Sequence, residues 1–122
     1  MTQSEFSYRY EFETELRQAP FQIGVRADPD LNSVDSYAAV LFFTLRDGTR
    51  VEVAKVDNSP HDEGDVHIDR FYREVGAEIK DFDIEVSDYV DAEGYLQDHG
   101  ERFIRLYYDN HGLQPRGDGA NV

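Results

Sequence analysis

The feature that most narrows the folds open to this chain is a change of hydrophobic period near Ser87. Ahead of it, apolar side chains recur at every second residue. Phe6, Tyr8, Tyr10 and Phe12 alternate with Glu5, Ser7, Arg9, Glu11 and Glu13, and Phe21, Ile23 and Val25 alternate with Gln22, Gly24 and Arg26. Period two is the mark of a half-buried strand. Tyr37 to Arg46 is apolar on both faces, as a central strand requires. Asp47-Gly48 is a hairpin turn, and Thr49 to Asp57 is the returning strand. Ala27 to Ser33 and Asn58 to Asp65 read as turn-rich loops. Val66 to Arg73 reads as a further strand, with a short one at Phe82, Ile84 and Val86. Beyond Ser87, Ala92, Tyr95, Leu96, His99, Phe103, Leu106 and Tyr107 recur at steps of three and four, the stripe of an amphipathic helix. Ser87 or Asp88 is its expected N-cap and Gly112 its stop. Gly94 and Gly100 cost this helix about 1 kcal/mol each relative to alanine, which packing must offset. The expectation is an α+β domain over residues 1–112: a curved antiparallel sheet of five to six strands with one C-terminal helix packed on it. Residues 113–122 are expected to fray.

A chain of 122 residues holds one core of ordinary size. Its 26 acidic and 12 basic residues leave a net charge of −14. Ten of the basic residues are arginine; Lys55 and Lys80 are the two lysines. At 13% aromatic residues the chain is too rich in core formers for a disordered acidic segment. On a surface of roughly 6,700 Å² the excess charge is about one per 480 Å². That repulsion weakens the compact state in dilute buffer and is screened at molar salt, where the Debye length is about 3 Å. Acidic excess with scarce lysine and retained arginine resembles the proteins of halophilic archaea. The charge then describes the solvent more than a partner, although nucleic-acid binders are normally basic. No cysteine is present, which excludes disulfides, a thiol nucleophile and thiolate-bound zinc. The longest apolar run, Ala38 to Phe43, is too short to cross a bilayer, and Met1 to Glu5 has no signal-peptide character. A cytoplasmic protein without membrane contact is expected.

Polar interest concentrates between Arg50 and Arg73. Two of the four histidines, His61 and His67, stand six residues apart, flanked by Asp57, Asn58, Asp69 and Arg70. His67, Asp69, Phe71 and Arg73 share a face of the expected strand. If that strand pairs with the one ending at Asp57, then Asp57, His61, His67 and Asp69 meet at one sheet end. Three uses fit these residue types. Histidines oriented by carboxylates, with a cation beside them, suit metal-independent phosphodiester cleavage. Two histidines and two aspartates also suit a divalent metal. Asp-Asn-Ser-Pro is equally an ordinary turn, and His67 an ordinary strand residue.

The run GTRVEVAKVDNSPHDEGDVHIDRFYRE resembles the TumE-like toxin family and related haloarchaeal domains. Lys55, Asp57, Asn58, Pro60 and His61 match the family's strand end, Asp-Asn pair and following histidine. His67 matches the first histidine of a His-x-His pair on the next strand, and Asp69 stands where the second belongs. The resemblance implies the toxin component of a toxin–antitoxin pair acting on RNA, with a small antitoxin protein as partner, or an inactive relative. In that reading His67 carries the proton, His61 is its counterpart, and Asp57 or Asp69 orients it. Lys55, Asn58 and Arg70 are the substrate contacts, with no metal and no cofactor.

The rival reading is a non-catalytic module that forms a homodimer through an open sheet edge. The other polar and aromatic features have ordinary uses. His99 lies on the helix stripe as a semi-buried residue, and His111 complements the helix dipole. Arg102 and Arg105 are expected to pair with Asp98, Glu101 or Asp109. The stripe Phe6, Tyr8, Tyr10 and Phe12 is read as core ahead of a base-stacking platform.

Overall fold

The structure, a computed structural model, describes residues 6–15, 19–59 and 66–117. Six strands form one sheet in chain order: β1 (Tyr8–Phe12), β2 (Phe21–Asp30), β3 (Ser33–Thr44), β4 (Arg50–Asp57), β5 (His67–Asp69) and β6 (Lys80–Asp81). Every neighbouring pair is antiparallel. Among the described residues a single helix, α1 (Tyr89–His111), packs on one face. This is the α+β arrangement that the change of period predicts.

The core lies between α1 and the sheet. Ala92, Leu96, Phe103, Ile104 and Tyr107 meet Ile23 and Val25 of β2, Leu41 and Phe43 of β3, and Val51 and Val56 of β4. Asp88 caps the helix by accepting from the Asp91 amide at 2.9 Å, and Gly112 ends it at φ 63° with its N–H on the Tyr108 carbonyl. Gly48, at φ 92°, closes the β3–β4 turn by donating to the Leu45 carbonyl. The edge strand β1 is fastened to the helix by side chains. Tyr8 and Tyr10 both donate to Glu93 at 2.5 Å, Gln97 donates to the Tyr10 oxygen at 2.7 Å, and Thr14 donates to Glu101 at 2.7 Å.

Three of the four aromatics in the N-terminal stripe pack against this core as expected. Phe6 does not, because the chain bends at Ser7. Its ring crosses to the other face, stacks on Phe42 at 5.4 Å and lies over Gly24, where a Cβ would come within 2.7 Å of it. The Arg50 guanidinium lies 5.0 Å from the Phe6 ring centre. Arg102 likewise sits over Phe103, at 5.0 Å. His99 packs between Tyr95 and Phe103, and His111 meets the Arg73 carbonyl at 2.7 Å.

Several boundaries differ from expectation. The segment 27–33 is not a loop: β2 and β3 run on as a two-stranded ribbon beyond the rest of the sheet, turning at Leu31-Asn32. Asp30 stabilises that turn by accepting from the Asn32 amide at 2.8 Å. The strand expected to reach Arg73 stops at Asp69, because Arg70 turns its guanidinium onto the carbonyls of Glu78, Ile79 and Lys80 and folds the chain back. The last strand is therefore Lys80–Asp81, and residues 82–87 are irregular. The tail differs too. Leu113 packs on the core, Tyr107 donates to the Gln114 carbonyl, and buried Arg116 donates to the carbonyls of Arg73 and Glu74. Residues 118–122 lie outside the described residues. Among the described residues no helix is long and apolar enough to cross a membrane.

Candidate functional site

A β-bulge decides which side chains reach the site. Leu41 pairs with Ala54 and Phe42 with Glu52, so Val53 is an extra residue in β4. Val51 and Val53 face the helix, as do Ala54 and Val56. The bulge thereby shifts the alternation by one and turns Lys55 and Asp57 to the opposite face. On that face Asp57 pairs directly with His67 of β5, Lys55 with Asp69, and Asp69 in turn with Lys80 of β6. Three short strands thus place two carboxylates, two ammonium groups and an imidazole side by side.

His67 Nε2 stands 3.1 Å from Asp57 Oδ1 and 3.7 Å from Asp69 Oδ2. A carboxylate only accepts, so a hydrogen bond across the 3.1 Å contact has Nε2 as its donor. Asp57 Oδ1 also accepts from the Ser59 amide at 3.1 Å. Asp69 Oδ1 takes a hydrogen bond of 2.8 Å from Lys80. Lys55 Nζ hangs between the two carboxylates, 3.7 Å from Asp57 and 3.9 Å from Asp69. The His67 ring packs beside Phe82, with centres 5.3 Å apart. His67 is 1% exposed, Asp57 5% and Asp69 4%. The lysine side chains, 31% and 38% exposed, link this buried trio to solvent. Burying two carboxylates is costly unless counter-charges sit beside them, and the lysines supply two.

Four of the residues singled out in the sequence converge here: Lys55, Asp57, His67 and Asp69. His61 and Pro60 lie outside the described residues. Asn58 is tied to β3 instead, accepting from the Tyr37 amide at 3.0 Å and donating to the Asp35 carbonyl. Arg70 serves the 70–81 loop and lies 3.8 Å from Asp81. Phe71 and Arg73 lie beyond the end of β5. Lys80 was not visible from local sequence, although its rarity is a signal. In a chain with ten arginines, both lysines meet at one cluster.

Together these groups offer a histidine oriented by a carboxylate, a second carboxylate beside it, and two cations at the solvent side. That set can move a proton and hold an anion. No family model, curated protein or solved structure matches the chain.

Proposed function

We propose that this chain is a TumE-like protein of a salt-rich cytoplasm that acts on RNA phosphodiesters, with Asp57, His67 and Asp69 as its reactive centre. The observation that carries the reading is the convergence of both lysines on a buried, carboxylate-held histidine. His67 serves as the proton carrier, and Asp57, 3.1 Å from its Nε2, orients the ring. Lys55 and Lys80, at the solvent side of the buried trio, take the phosphate and its developing charge. An antitoxin partner follows from the same resemblance.

Expression in a host tests the reading. The wild-type chain should arrest growth and cleave RNA in molar potassium chloride, whereas His67→Gln and Lys55→Met should do neither while melting as cooperatively as wild type. A wild-type chain that neither arrests growth nor cleaves RNA refutes it. The near-complete burial of His67 favours a second reading, in which the network is structural and the chain is a non-catalytic module that self-associates. Under that reading His67→Gln lowers the melting temperature and sedimentation shows a dimer.

A further inference from the structure

We infer that Asp57, His67 and Asp69 form a binding site for a divalent transition-metal ion of the zinc and manganese class. One ligand atom from each residue lies within 4.8 Å of the others, and all three residues are buried. Metal–nitrogen and metal–oxygen bonds of about 2.0–2.2 Å place neighbouring ligands roughly 3.0–3.5 Å apart. The imidazole nitrogen already lies 3.1 and 3.7 Å from the two carboxylates.

A second observation concerns the other carboxylate oxygens. Asp57 Oδ2 and Asp69 Oδ2, the oxygens not taken by the Ser59 amide and the Lys80 ammonium, both lie toward Lys55. Lys55 Nζ stands 3.7 Å from the first and 3.9 Å from the second, and His67 Nε2 is 3.7 Å from the second. Two carboxylate oxygens thus converge on one position, with the Lys55 ammonium before it. A divalent ion there matches the two carboxylate charges, is ligated by His67 Nε2, and sends Lys55 outward along a side chain already part-exposed. A mixed nitrogen and oxygen donor set suits zinc and manganese ahead of magnesium or calcium, which prefer oxygen alone.

The site is defined on the free protein. Its consequence rests on the function proposed above: an ion on Nε2 removes the proton-exchanging group, so zinc inhibits RNA cleavage. Calorimetric titration of the metal-free chain with zinc chloride and with manganese chloride should show one saturable site. Asp57→Asn and Asp69→Asn should each weaken zinc binding by about ten-fold or more. Lys55→Met, which removes the competing ammonium, should tighten it. Should the asparagine variants fail to fold, the histidine ring NMR signals of the unaltered chain decide, because zinc should shift those of His67. No saturable heat, or zinc shifts confined to His61, His99 and His111, overturns the site. Zinc binding without any RNA cleavage leaves the site standing and removes the function. Cleavage that zinc stimulates overturns the inhibition.

Discussion

The two glycines inside α1 should respond to alanine with opposite signs. Replacing an interior helical glycine by alanine gains about 1 kcal/mol of helix propensity. At Gly94 a Cβ meets nothing within 4 Å, so Gly94→Ala should keep that gain. At Gly100 a Cβ falls 2.7 Å from Phe12 Cζ and 3.1 and 3.2 Å from the neighbouring ring carbons. Carbon atoms rest about 3.5–4.0 Å apart, so the ring must retreat by nearly an ångström. Phe12 sits on β1, paired with Phe21 and packed on the core, so its retreat lifts an edge strand from the helix. Overpacking of this kind costs about 1–3 kcal/mol. The net effect of Gly100→Ala is then between zero and about 2 kcal/mol of destabilisation, and the two variants should differ by about 1–3 kcal/mol. For a domain of this size each kcal/mol moves the melting temperature by about 3–5 °C. Thermal melts followed by circular dichroism in molar salt should show Gly94→Ala above wild type and Gly100→Ala at or below it. In a Phe12→Ala background the clash is gone and Gly100→Ala should become stabilising. Equal gains from both alanines in the intact protein refute the close approach of Phe12 to the helix.

Two further consequences concern the fastenings of the edge strand and the tail. Burial and the hydrogen bond to Glu93 push Tyr10 up to about 12 and Tyr8 higher still. Because the folded values exceed the ordinary 10.0, the stability these phenols add is complete below pH 10 and is lost as pH rises through the folded values. Absorbance titration should find Tyr10 protonated when exposed tyrosines have ionised, with one late-titrating phenol lost in Tyr10→Phe; ionisation near pH 10 refutes the clamp. Arg116, 3% exposed and donating to two carbonyls of the 70–81 loop, should cost about 2–3 kcal/mol on substitution by alanine. Urea denaturation checks this, and a cost below 0.5 kcal/mol would mean the tail does not hold the loop.

The parts of the fold legible in the sequence are those set by local period. The alternation in β2, the continuous apolar run of β3 and the stripe in α1 each follow from where those segments are buried, and both ends of α1 have their capping residues in place. What escaped the pattern depends on contacts distant in sequence. Pro29 sits in an exposed ribbon where no third strand requires its missing N–H, so a turn-rich composition did not end the strand. Arg116 looks like part of a polar tail, yet it is buried because the carbonyls of Arg73 and Glu74 need donors. Phe6 follows the alternation of β1 in sequence but lies before the bend at Ser7, and that bend reverses its face.

The candidate site shows the same division more sharply. Asp57, His67 and Asp69 stood out by residue type, but simple alternation from Val51 and Val53 carries Lys55 and Asp57 to the helix face. There the two charges would lie beside Ile68 and the helix. A single extra residue at Val53 resolves that conflict: it keeps Ala54 and Val56 in the core and turns Lys55 and Asp57 to face His67 and Asp69. The apolar demand of the core and the charge demand of the cluster are met together only with the register displaced by one. Bulges of this kind re-aim side chains beside functional sites. The position of this one, immediately ahead of both Lys55 and Asp57, is the physical reason for regarding the polar cluster as selected with the fold.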